Sequence, residues 1–114
     1  MKTNKISVLI FFIFLLIFKV NGQIIKEGTR QIHLDFHTSG LIKNIGEDFS
    51  KAQFQEALKI GNVNSINLFA KGHHGYSYYN TKLGTRHPHL KFDLLKEQIE
   101  ACHELGITAQ IYFT

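Results

Sequence analysis

Three runs of strict apolar/polar alternation are separated by two stretches of helical periodicity, and that order leaves few folds open. In residues 31–37, Ile32, Leu34 and Phe36 oppose His33, Asp35 and His37, which is the period of a strand. Residues 65–71 repeat it, with Ile66, Leu68 and Ala70 against Ser65, Asn67, Phe69 and Lys71. A third run at 107–114 sets Ala109, Ile111 and Phe113 against Thr108, Gln110, Tyr112 and Thr114. Between the first two, Ser50 opens a capping box, and Phe54, Ala57, Leu58 and Gly61 fall on one helical stripe. The spacing predicts a helix over 51–60 that ends at Gly61. A second helix is predicted over 93–105, with Leu95, Ile99 and Cys102 as its apolar stripe and Gly106 as its terminator. Residues 72–91 read as a long loop.

Strand, helix, strand, helix, strand implies parallel strands joined by right-handed crossovers. An open doubly wound sheet buries both faces, so its strands read apolar throughout. Here every strand keeps one polar face that grows more polar toward its C-terminal end. Inward-facing polar groups at the mouth of a closed barrel give that pattern, so the fold class read from the sequence is α/β, the N-terminal part of a (β/α)8 TIM barrel. The first strand is followed by Thr38-Ser39-Gly40, which is no dinucleotide fingerprint, and a nucleotide-binding sheet is the weaker choice.

The N-terminus carries a different message. Lys2 and Lys5 precede an unbroken apolar run over 8–18, and Val20 and Gly22 occupy the −3 and −1 positions of a cleavage site. A membrane span needs about 20 apolar residues, so 1–22 reads as a secretory signal peptide rather than an anchor. The expected organisation is a leader over 1–22 and a partial barrel over 23–114, in a secreted or periplasmic protein with no membrane attachment after cleavage. The charge follows suit: 13 basic residues against 9 acidic become 10 against 9 once Lys2, Lys5 and Lys19 leave with the leader. That balance gives no footprint for nucleic acid or an anionic membrane. Cys102 is the single cysteine, so no internal disulfide staples the fold. A third strand that stops at Thr114 is expected to belong to a longer protein.

If the strands are parallel, Asp35 and His37, then Lys71, His73 and His74, then Tyr112 and Thr114 gather at one C-terminal rim, where barrel enzymes keep their active sites. Phe69 to Tyr79 is the densest stretch, combining Lys71, His73 and His74 with Tyr76, Tyr78 and Tyr79. Hydrogen-bonding edges beside flat apolar faces suit a polyhydroxylated ligand such as a sugar. For Asp35 an ion pair with Lys71 is the competing structural role, for Tyr78 and Tyr79 loop packing, and for His33 a hydrogen-bonded interior position. His33, Asp35 and His37 on one strand face, with His87 and His89 nearby, also allow a metal-dependent hydrolase. His87 and His89 could equally shape the entry to the second helix around Pro88. Cys102, on an apolar stripe, reads as packing.

The run Ser65-Ile66-Asn67-Leu68-Phe69-Ala70-Lys71-Gly72-His73-His74-Gly75-Tyr76 resembles the second strand and loop of the α-L-fucosidase family of retaining glycoside hydrolases, where a similar strand leads into K-H-H-D-G-F. Gln110-Ile111-Tyr112-Phe113-Thr114 is similar to that family's G-L-Y-Y-S, and Asp35-Phe36-His37 to its F-x-H-W-G. A group of bacterial glycosyl hydrolases related to fucosidases shares F-A-K-x-H-H-G-Y. The resemblance implies a carbohydrate substrate, no cofactor and no metal, and sugar contact for His37 and His73. Lys71, Gly75 and Tyr76 match the motif; Gly72 stands where the family has its first histidine and His74 where it has an aspartate. The substrate-binding candidates are therefore His37, Lys71, His73, His74, Tyr76 and Tyr112. A retaining enzyme needs two carboxyl groups ~5 Å apart. The resemblance places the nucleophile on a fourth strand, past Thr114, so the catalytic residues stay unassigned. A non-catalytic carbohydrate-binding protein is the remaining alternative.

Overall fold

The computed structural model of the protein describes residues 29–114. The leader read over 1–22 lies outside the described residues. Strand β1 (Gln31–His33) is followed by helix α1 (Lys51–Ile60), β2 (Ser65–Lys71), β3 (Tyr76–Ser77), β4 (Thr85–Arg86), α2 (Leu94–Glu104) and β5 (Thr108–Phe113). The result is a mixed α/β fold with β2 at its centre, parallel to β1 on one side and to β5 on the other. His33, Asn67 and Gln110 share one level of the sheet.

Both helices end in the same device. In α2 the cap is Leu105 and Gly106 takes φ 67°, with Gly106 N–H donating to the His103 carbonyl and Ile107 N–H to the Cys102 carbonyl. This is a Schellman ending, and it drives the apolar residue after the turn back onto the helix. In α1 the left-handed residue is Asn62 at φ 50°, whereas Gly61, expected to provide that conformation, is the cap at φ −72°. Asn62 N–H donates to Lys59 and Val63 N–H to Leu58. Val63 and Ile107 are thereby delivered into one buried cluster with Leu58, Ile66, Leu68, Ala70, Leu95 and Cys102. The apolar face of β2 and the helix stripes meet there. At the helix starts, Ser50 accepts from Gln53 N–H and Asp93 from Lys96 N–H, filling donors that the first turn leaves open. Asp93 also accepts from Asn80 N–H, tying the long loop to α2. Across the helices, Lys51 pairs with Glu104, which raises the lysine's pKa and lowers that of the carboxylate.

Two expectations need correction. The first strand stops at His33 instead of running to His37: Asp35 N–H folds back onto the His33 carbonyl, and the chain turns away to reach the loop beyond β2. The stretch over 72–91 is not plain loop either. It forms β3, antiparallel to β2 through Lys71 and Ser77, and β4, parallel to β3. A second buried cluster of Ile45, Phe69, Tyr78, Leu90 and Leu94 sits beneath these segments, flanked by Phe36, Phe49 and Phe92.

Cys102 is packed in the first cluster with no exposed surface, and burial pushes its thiol up from the ordinary range. Cys102 in the native protein is expected to stay unmodified by a thiol-specific reagent over minutes, as read by mass mapping of its peptide, and to be modified at once in denaturant. Rapid native labelling would contradict this packing.

Candidate functional site

The hairpin from β2 to β3 places the rim chemistry. Gly75 N–H donates to the Gly72 carbonyl at 2.9 Å, Gly72 N–H to the Tyr76 carbonyl at 3.2 Å, and Gly75 takes φ 88°. This is a three-residue hairpin loop with glycine at its left-handed position, and it sets His73 and His74 at the two corners of the turn. Both imidazoles are exposed and lie ring to ring, with centroids 4.2 Å apart.

His37 meets them from the other side. His73 N–H donates to His37 Nδ1 at 3.0 Å, and the two rings lie 4.2 Å apart. The Nε2 of His37 lies 3.1 Å from Asp35 Oδ1. Asp35 is thus paired with His37 and not with Lys71. The approach requires Gly72: a methyl group there would sit 2.8 Å from the Tyr78 hydroxyl and 3.1 Å from His37 Nδ1.

Below the turn, the rings continue. His37 packs edge-on against Phe69 at 4.9 Å, Phe69 against Tyr112 at 4.5 Å, and His33 against both Phe69 and Tyr112. His74, His73, His37, Phe69 and Tyr112 therefore form an unbroken aromatic wall from the hairpin tip down the polar face of the sheet. Gln31 closes its lower end by donating to Asn67 and Gln110 side chains.

The structure brings His37, His73, His74 and Tyr112 onto this wall, but not Lys71 or Tyr76. An irregularity in the β2–β5 register between Phe69 and Lys71 sets Lys71 opposite Phe113. Its ammonium lies 5.5 Å from the Phe113 ring centroid and donates to the Thr114 carbonyl. Tyr76 turns its ring onto His87, 5.1 Å away. His87 is buried, its Nε2 against the Ser39 carbonyl and its Nδ1 accepting from His89 N–H, so it latches two loops together. Tyr78 is a packing residue: its buried hydroxyl accepts from Thr38 N–H and lies 2.9 Å from Thr38 Oγ1. His33, Asp35 and His37 do not converge, since the His33 ring nitrogen faces the Asn67 amide. Among the described residues no group of three or more His, Cys, Asp or Glu side chains could hold a metal ion.

Phe69, which sequence reasoning passed over, is buried and packs the rings of the wall together without facing a ligand itself. It stands on the polar face of β2 between Asn67 and Lys71, and a large aromatic in that company is the signal that would have found it.

Residues 50–114 match the family described as Hypothetical glycosyl hydrolase 6. The chain is also similar to the solved structure of Alpha-L-fucosidase isoenzyme 2 from Paenibacillus thiaminolyticus, at 56% sequence identity and a TM-score of 0.72 over 74% of this chain. The chain belongs to the fucosidase-related glycosyl hydrolases. The likeness read at residues 65–76 thus identifies the family. The matched part covers 13% of the length of the fucosidase structure. No curated protein matches the chain.

Proposed function

We propose that this chain supplies the opening strands of a (β/α)8 barrel in a secreted, fucosidase-like glycoside hydrolase, and that the wall headed by His73 and His74 is part of its sugar-binding subsite. The observation that carries this reading is the continuous run of rings ending in two exposed imidazoles at the C-terminal ends of parallel strands. A pyranose needs an apolar face for its C–H side and donors and acceptors for its hydroxyls, and the exposed rings of Tyr112, His73 and His74, packed over the buried Phe69, offer both. Ile32 on β1 and Ile111 and Phe113 on β5, the two strands flanking β2, remain exposed, which fits a sheet that continues on both sides. Among the described residues Asp35 is the one acid at the wall, and it is engaged by His37. The two carboxyl groups of a retaining mechanism, ~5 Å apart, therefore come from elsewhere in the enzyme.

In the protein that carries this chain, release of an aryl α-L-fucoside is the direct test. His73→Ala is expected to lower kcat/KM by about five- to a hundredfold, since a sugar hydroxyl left without its partner in the complex costs about 1–3 kcal/mol. Unchanged turnover removes His73 from the subsite. Export rests on Lys2, Lys5, the apolar run and the Val20/Gly22 pair. N-terminal sequencing of the mature protein is expected to begin at Gln23, and a start at Met1 would contradict export with cleavage.

A further inference from the structure

Both ring nitrogens of His37 are used inside the protein. His73 N–H points at Nδ1, 3.0 Å away, so Nδ1 must be bare; a proton there would face another donor. The proton of the neutral ring then sits on Nε2, 3.1 Å from Asp35 Oδ1. We infer that Asp35 is a positioning residue: by accepting from His37 Nε2–H it fixes the tautomer whose Nδ1 anchors the His73 amide and holds the two-imidazole turn over the wall.

Three observations meet in this arrangement. Gly72 carries no side chain where one would press within 3.1 Å of His37 Nδ1, so the turn can close on the imidazole. The ring of His37 is further pinned between Phe69 and His73. Asp35 stands at the end of the chain of bonds with 69% of its side chain exposed, against 22% for His37, so it can be replaced without disturbing the core. The consequence for recognition rests on the sugar-subsite reading above. His37 shows a ligand only its ring face and C–H edge, and the hydrogen bonds to sugar hydroxyls come from His73 and His74. This reassigns the contact that the family resemblance gives to His37.

The test uses ¹⁵N-labelled protein in three forms. Long-range proton–nitrogen correlation on the parent is expected to show His37 as the Nε2–H tautomer. In Asp35→Asn, whose side-chain carbonyl still accepts, the tautomer persists and exchange of the His73 amide stays within about twofold. In Asp35→Ala, exchange of that amide accelerates about tenfold, the equivalent of one hydrogen bond of ~1.4 kcal/mol. An Nδ1–H tautomer in the parent, or unchanged exchange in Asp35→Ala, overturns the assignment. An aryl fucoside supplies the second arm, its Kd rising about tenfold in Asp35→Ala and holding in Asp35→Asn. Equal Kd in parent and Asp35→Ala overturns the link to the ligand. A parent that binds no fucoside overturns the subsite reading, while the tautomer and exchange results still decide Asp35.

Discussion

Gly72→His, which would install the histidine that the fucosidase motif carries at this position, is expected to destabilise the fold by about 3 kcal/mol, the upper end for overpacking a filled site. Even the first carbon of that side chain would lie 2.8 Å from the Tyr78 hydroxyl, 3.1 Å from His37 Nδ1 and 3.3 Å from the Phe36 carbonyl. None of these is the far end of a mobile side chain: Tyr78 is buried, Phe36 O is backbone, and His37 is held at both nitrogens. Relief would require opening the hydrogen bonds from Tyr78 to Thr38 and from His73 to His37. Gly75→Ala is the control that separates space from backbone strain. A methyl there meets nothing within 4 Å, but the residue sits at φ 88°. Its cost is therefore that of a left-handed conformation alone, about 1 kcal/mol. Denaturant unfolding of the two variants should show the first penalty clearly larger than the second. A Gly72→His protein as stable as its parent would refute the packing described at the rim.

Tyr78→Ala is expected to cost about 4 kcal/mol, and Tyr78→Phe about 2 kcal/mol. The ring fills the second buried cluster beside Phe36, which it meets edge-on at 4.7 Å, and its surface is 1% exposed. Its hydroxyl is the partner of both the amide and the side chain of the buried Thr38. Removing only that oxygen leaves the buried Thr38 amide without its acceptor, which costs more than the bond itself contributed. Thr38→Ala in the Tyr78→Phe background should add little beyond the first substitution, because the two share one interaction. Full additivity in that double-mutant cycle would show that the Tyr78 hydroxyl does not bond the Thr38 side chain.

Much of this was legible in the residues. The period of two fixed β2 and β5, and Ser50, Asp93 and Gly106 marked helix ends that the structure places within a residue of expectation. The family could be read from residues 65–76, because a strand running into a histidine-rich turn is a local pattern. What escaped was decided by tertiary partners. The alternation of 31–37 predicts a single strand, yet the backbone leaves the sheet after His33 for bonds across 36 residues that no local pattern encodes. Lys71 keeps its place in the motif, but the register shift beside it turns it toward Phe113. Asp35 read as a possible partner of Lys71, and only the path of the chain after His33 brings it to His37 instead.

The account's central claim is that the wall headed by His73 and His74 faces a sugar. Side-chain resonances of the histidines, followed while an α-L-fucoside is titrated in, test it most directly. Saturable shifts at His73 and His74, with none at the buried His87 or at the exposed His103 on α2, are the predicted result. A silent rim, or equal movement at His103, would contradict it.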